Sequence, residues 1–282
     1  MTDLSYAEPQ SGTTAAARTV VTMRNVSKVF SNGTLALKDM SIDVTRGEFI
    51  SLLGPSGCGK STALRIIAGL GAASTGTIDW PSSKINSRGL PEGDVGFVFQ
   101  EPTLMPWQTV LGNVYLPLRL NGISKSAARP RIMEALASVG LEDFSEAYPR
   151  ELSGGMKMRV SIARGLVTRP RMLLMDEPFA ALDEITRFKL NNDILDLWQE
   201  RGFTVIFVTH SVFESVFLSN RITVMAAHPG RVFEELTVDA PYPRNAEFRT
   251  SAHYADLCRK ASDTLSRAMD PNMGTEVGSD IH

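Results

Sequence analysis

Glu48-Phe49-Ile50-Ser51-Leu52-Leu53-Gly54-Pro55-Ser56-Gly57-Cys58-Gly59-Lys60-Ser61 is the stretch on which the fold turns. It opens as a short apolar strand, passes into a glycine-rich turn and runs into a helical pattern, Lys60 to Leu70, closed by Gly69 and Gly71. The segment Gly54–Ser61 matches G-x-x-x-x-G-K-[ST] in the strand-to-helix context that motif requires. Glycines let successive backbone N–H groups face phosphate oxygens, and a helix N-terminus adds about half a positive charge. Lys60 is placed to reach β- and γ-phosphates, and the Ser61 hydroxyl to ligate Mg²⁺. A chance glycine-rich turn is the bland alternative. Cys58 reads as a spacer used through its backbone, in a position that could also make it reactive.

Outward from the loop the pattern alternates. Strands are expected at Val20–Val26, Met40–Val44, Thr77–Trp80 and Val95–Phe99, then at Met172–Met175, Thr204–Val208, Ile222–Met225 and Val232–Leu236. Between them, residues 101–168 carry helical periodicity at Ala127–Val139 and Gly154–Val167 and no strong strand. This predicts an α/β nucleotide-binding core interrupted by a helical subdomain. Residues 1–19 read as a disordered N-terminal arm, 20–240 as the nucleotide-binding domain, and 241–282 as a C-terminal helix, about 245–268, with a disordered tail.

Met172-Leu173-Leu174-Met175-Asp176-Glu177 is an apolar run ending in two acids. A buried parallel strand delivers such acids beside the phosphate loop. Asp176 would then hold Mg²⁺, and Glu177 would orient and deprotonate the attacking water. Leu152-Ser153-Gly154-Gly155-Met156 opens a helix with Ser153 as N-cap. It is a plain cap on the bland reading and a second anion-binding helix end on the sharper one.

The phosphate loop, Gln100, L-S-G-G-M, M-D-E-P, Ala181-Leu182-Asp183 and His210 stand in the order of ABC transporter ATP-binding subunits. The resemblance covers roughly residues 20 to 230. It implies a P-loop NTPase core with an antiparallel β subdomain and a helical subdomain. Phe30 resembles the aromatic that stacks on adenine, although the family more often has tyrosine there. Nucleotide contacts are implied for Gly54, Pro55, Ser56, Gly57, Cys58, Gly59, Lys60, Ser61 and Thr62. Gln100 resembles the residue that senses Mg²⁺ and water and joins the core to the helical subdomain. Ser153, Gly154 and Gly155 resemble the signature that contacts the γ-phosphate bound by a partner subunit. Asp183 resembles the acid at the dimer interface, and His210 the switch histidine. A histidine at such a strand end is by itself more often structural.

The signature ends in Met156 where most of the family has glutamine, and the segment after Gln100 reads E-P-T-L-M-P-W. Both resemble the nitrate/sulfonate/taurine importer subgroup. That implies an ATPase subunit working as an ATP-sandwich homodimer with Mg²⁺, bound to permease subunits at the cytoplasmic face of the inner membrane and served by an external solute-binding protein. Leu104, Met105, Pro106 and Trp107 would line the groove receiving the permease; the alternative packs Trp107 inside the helical subdomain.

The 282 residues suit one large or two small domains, at about 150 residues per domain. Hydrophobic residues at 43% and charged residues at 21% exclude wholesale disorder. A net charge of −2 argues against coating nucleic acid. Two cysteines, Cys58 and Cys258, make neither a disulfide framework nor a zinc pattern. No stretch reaches the roughly 20 apolar residues of a membrane span, and the N-terminus lacks a signal-peptide pattern. Soluble relatives acting on DNA insert long coiled coils between loop and signature, whereas Lys60 and Ser153 lie 93 positions apart without sustained heptads. Ribosome-acting relatives usually carry two cassettes, and this chain has one set of motifs. A GTPase would need an N-K-x-D segment. An exporter subunit is the nearest rival.

Overall fold

The computed structural model describes residues 19–81, 83–85, 91 and 95–270. Nearly all of the expected N-terminal arm, and the tail beyond 270, lie outside the described residues.

Strands β1 (Thr19–Val29) and β2 (Leu35–Thr45) form an antiparallel pair. Next come β3 (Phe49–Leu53), α1 (Lys60–Ile67), β4 (Thr75–Asp79) and β5 (Val95–Val98). Helices α2 (Val110–Leu120), α3 (Lys125–Ala137) and α4 (Gly154–Leu166) follow without an intervening strand. The chain then runs β6 (Met172–Asp176), α5 (Glu184–Arg201), β7 (Thr204–Thr209), α6 (Val212–Leu218), β8 (Arg221–Ala226) and β9 (Arg231–Thr237). It ends in α7 (Ala246–Thr250) and α8 (Ala252–Met269).

Two sheets result. One is antiparallel, in the order β2-β1-β4; the other has the order β5-β6-β7-β3-β8-β9 and is parallel except for β9. β3, β6 and β7 are buried along their whole length, as befits parallel strands covered on both faces. Their alternation splits the core. Ile50, Leu52, Leu174 and Ile206 face α1 and the antiparallel sheet, while Phe49, Leu53, Leu173 and Phe207 join the cluster that continues into α2–α4 and α8. This is the P-loop core with antiparallel β and helical parts that the resemblance implies. Because β3, β6 and β7 are parallel neighbours, the phosphate loop, the acids and His210 emerge at one sheet edge.

Three elements differ from the sequence expectation. β2 starts at Leu35 rather than Met40. α2 was not among the expected helices; Thr109 caps it, and Val110, Leu111, Val114 and Leu118 bury one helical stripe. The single helix expected over 245–268 is two. Ser251 adopts an extended conformation between them, its Oγ accepting from the Tyr254 N–H at 3.1 Å and donating to the Phe248 carbonyl at 2.7 Å. Among the described residues no helix is long and apolar enough to cross a membrane.

Candidate functional site

The phosphate loop is held tightly from behind. Gly59, the residue before α1, has φ +91°, and a Cβ there would sit 2.6 Å from Leu37 Cδ2 and 2.8 Å from the Ala36 carbonyl oxygen, so only glycine fits. No side chain caps α1, which leaves the N–H groups of its first turn for an anion. Lys60 is buried, its Nζ donating to the carbonyls of Gly54 at 2.8 Å and Pro55 at 2.9 Å. Cys58 is fully buried, and burial pushes its thiol up, which suits the spacer role over the reactive one.

β6 brings the two acids against this loop. Ser61 Oγ donates to Asp176 Oδ1 at 2.6 Å, and burial pushes the Asp176 carboxyl up. A hydroxyl and a carboxylate are hard oxygen donors that can hold a divalent cation completing its shell with phosphate and water. Glu177 stands at φ +45°, its N–H donating to the Val208 carbonyl at 3.0 Å. Its two oxygens face different partners: Oε1 lies 3.6 Å from Lys60 Nζ and Oε2 3.3 Å from His210 Nδ1. A carboxylate with a lysine on one side and a half-exposed imidazole on the other is placed to take a proton at the mouth of the loop.

Direct contacts therefore join Lys60, Ser61, Asp176, Glu177 and His210. Gly54 and Pro55 join it through the Lys60 Nζ, whereas among the described residues no hydrogen bond or ion pair connects Phe30, Gln100, Ser153, Gly154, Gly155 or Asp183 to that cluster. Phe30 lies in the β1–β2 turn, 44% exposed, with Lys28 Nζ 5.5 Å from its ring centroid. Gln100 is exposed just past β5. Ser153 and Gly154 are exposed, with Ser153 Oγ accepting from the Met156 N–H at 3.3 Å. A Cβ on Gly155 would meet Thr186 Cγ2 at 2.6 Å, so the signature sits against the start of α5. There Asp183 caps the helix, and the Thr186 N–H holds its carboxyl below the usual range.

Two sets of residues escaped the sequence reading. Beneath His210, Glu214 accepts from the Thr209 hydroxyl and faces Arg187 at 3.7 Å. Ser211-Val212-Phe213-Glu214 is an S-x-x-E string, a capping signal that could have flagged Glu214. After Gln100, Arg164 donates to the carbonyls of Pro102 at 2.8 Å and Thr103 at 2.9 Å, and the buried Asn113 side chain bonds the backbone of Met105, Gln108 and Thr109. These two residues fasten the loop that carries Trp107, which is 71% exposed rather than packed inside the helical part. Leu104 instead packs against the helical core. A groove of about 510 Å³ is lined by Phe97, Phe99, Thr103, Leu116, Leu120 and Arg164, and, contrary to expectation, none of Leu104, Met105, Pro106 and Trp107 lines it.

The family model described as ABC transporter matches residues 37–180. The aliphatic sulfonates import ATP-binding protein of Bacillus licheniformis is 42% identical over 243 residues, 85% of this chain and 92% of the relative. The nitrate import ATP-binding protein of Synechocystis is 43% identical over 219 residues, 76% of this chain and 81% of the relative. Among solved structures, a dimeric bacterial ABC transporter cassette superposes with TM-score 0.68 at 35% identity, over 78% of this chain and all of that one.

Proposed function

The chain belongs to the ABC transporter family and is one of its ATPases, and from that premise we propose that it energises uptake of a small solute of the nitrate/sulfonate/taurine type. The observation that carries the ATPase site is Glu177 standing between Lys60 and His210, beside the Ser61–Asp176 pair. The direction of transport rests on similarity to two importer subunits.

On this reading, ATP phosphates enter the loop and Lys60 exchanges the Gly54 and Pro55 carbonyls for β- and γ-phosphate oxygens. Phe30 stacks on the adenine. Ser61 and Asp176 would hold Mg²⁺, with Gln100 at its outer side; bound there, the ion neutralises charge on the phosphates. Glu177 takes the proton of the attacking water as the bond between the γ-phosphorus and the ADP oxygen breaks, and His210 faces the γ-phosphate. Ser153, Gly154, Gly155 and Asp183 complete the site of a second copy, giving two composite sites related by a two-fold axis. Closure of the pair moves the helical part, 101–168, against permease subunits seated on the loop that carries Leu104, Met105, Pro106 and the exposed Trp107. The chain then works peripherally at the cytoplasmic face of the inner membrane, reached only indirectly by an external solute-binding protein.

Copurification of the tagged chain from native membranes, with and without Trp107→Ala, tests this. Recovery of an integral membrane permease, weakened by the substitution, supports it. Recovery of ribosomes or DNA-repair factors without a membrane protein would sink the importer assignment and leave the ATPase chemistry standing.

A further inference from the structure

The segment after β9 grips α6, the short helix that follows His210. Arg244 is 5% exposed and spends its guanidinium on backbone carbonyls. Its Nη1 donates to Val216 at 2.9 Å, Phe217 at 3.0 Å and Ser219 at 2.9 Å, and its Nη2 to Ala240 at 2.9 Å. The first three are carbonyls at the C-terminal end of α6, where a cation also meets the negative end of the helix dipole. Tyr242, whose ring lies 4.1 Å from the Arg244 guanidinium, donates its hydroxyl to the Leu218 carbonyl at 2.8 Å. Tyr254 of α8 donates to the Phe213 carbonyl at 2.9 Å. Arg249 stacks on Phe217 of α6 and Phe188 of α5, at 3.5 and 4.6 Å from the ring centroids.

The opposite end of α6 is tied to the histidine. The Ser211 N–H donates to Thr209 Oγ1 at 3.0 Å, the Thr209 hydroxyl donates to Glu214, and the Glu214 N–H donates to Ser211 Oγ at 3.3 Å. The residues on either side of His210 are thus bonded to the first turn of a helix whose last turn Arg244 holds. Seven residues span only about 10 Å, so the helix passes a displacement from one end to the other with little slack.

We propose that Arg244 is a positioning residue for ATP hydrolysis: by holding the C-terminal carbonyls of α6 it sets where His210 stands relative to Glu177 and the γ-phosphate. The proposal rests on the role given to His210 above. It assigns the C-terminal segment a part in the rate of the reaction rather than in nucleotide binding, because none of its contacts reaches the phosphate loop among the described residues.

The test is a double-mutant cycle in the full chain. Arg244→Met keeps bulk and removes every donor, while Arg244→Lys keeps a charge and donors. A misplacement of about 1 Å at a reacting group can cost about 100-fold, so Arg244→Met is expected to lower kcat at least about tenfold. ATP affinity, read with a fluorescent ATP analogue in a Glu177→Gln background, should stay within about twofold, and Arg244→Lys should recover much of the rate. In a His210→Ala background, adding Arg244→Met should change kcat by less than about twofold, since the residue it acts through is gone. A folded Arg244→Met with wild-type kcat, a loss that persists undiminished in the His210→Ala background, or an equal loss of ATP affinity overturns the proposal. Should Arg244→Met fail to fold, Tyr242→Phe removes one bond of the same grip: a lowered kcat that vanishes in the His210→Ala background supports it, and an unchanged kcat overturns it. His210→Ala with wild-type kcat would instead overturn the role of His210, a separate failure.

Discussion

Asn113→Ala is the perturbation that probes the loop bearing Trp107. The amide is fully buried: Oδ1 accepts from the Met105 N–H at 2.7 Å, and Nδ2 donates to the carbonyls of Thr109 at 3.0 Å and of Met105 and Gln108 at 3.2 Å. These bonds are not equally costly to lose. The Met105 carbonyl keeps the Gln108 N–H, and the Thr109 carbonyl keeps the Asn113 N–H. The Met105 N–H is the group whose acceptor is removed. An orphaned donor costs about 1–3 kcal/mol, and the space left by the amide adds to it, so about 2–4 kcal/mol is expected in all. At 2–4 °C per kcal/mol for a domain of this size, Tm falls by about 5–15 °C. Asn113→Asp should be worse than alanine, because it turns the donor into an acceptor facing three carbonyls. Differential scanning calorimetry gives the shift, and hydrogen exchange at Met105 shows where it arises. A Tm within about 1 °C of wild type, or aspartate better tolerated than alanine, would refute the reasoning.

Burial raises the Asp176 carboxyl, so its contribution to stability is present below the ordinary carboxylate pKa and is lost as pH rises through the raised value. Asp176→Asn should therefore melt higher than wild type near about pH 7 without nucleotide or Mg²⁺, with the gap closing towards about pH 4. A wild type at least as stable at neutral pH contradicts this. Gly155→Ala forces a Cβ to within 2.6 Å of Thr186 Cγ2 and should destabilise by about 1–3 kcal/mol. Thr186→Ser, which deletes that methyl and keeps the hydroxyl, should restore most of the loss in urea unfolding; no rescue means the contact was misjudged.

What was legible in the sequence is what sits in contiguous strings. The phosphate loop and the Asp176-Glu177 pair each follow an apolar strand, so periodicity and a short motif place them together. α2 was missed although Val110, Leu111, Val114 and Leu118 carry a helical stripe, because Asn113 and Pro117 have poor helix propensity that tertiary packing overrides. β2 was cut short because Leu35-Ala36-Leu37 lacks β-branched residues, and its pairing with β1 overrides that preference. The break at Ser251 needs one hydroxyl to accept at one helix and donate to another, which pattern does not record. Arg187 and Glu214, or Arg164 and Pro102, meet only through the fold. Arg244, just ahead of the expected C-terminal helix, gave no sign of its grip on α6.

The two helix ends suited to phosphate are built for different moments. The N-terminus of α1 is uncapped and closed in by Leu37 and Ala36, with Lys60 and both acids already in place. The N-terminus of α4 is capped by its own Ser153, faces solvent, and packs through Gly155 on Thr186. Exposed Ser153 and Gly154 thus share one rigid unit with Asp183 and with Ile185, which is 82% exposed. An isoleucine so exposed beside a helix-capping acid is costly to leave in water and is covered if a second copy docks there. In such a pair, the signature and Asp183 arrive together, since Gly155 packs so closely on Thr186 that even an added Cβ would clash there. Hydrolysis would then wait on docking even though Lys60, Glu177 and His210 are already aligned within one chain. That coupling ties ATP turnover to the motion a transporter needs.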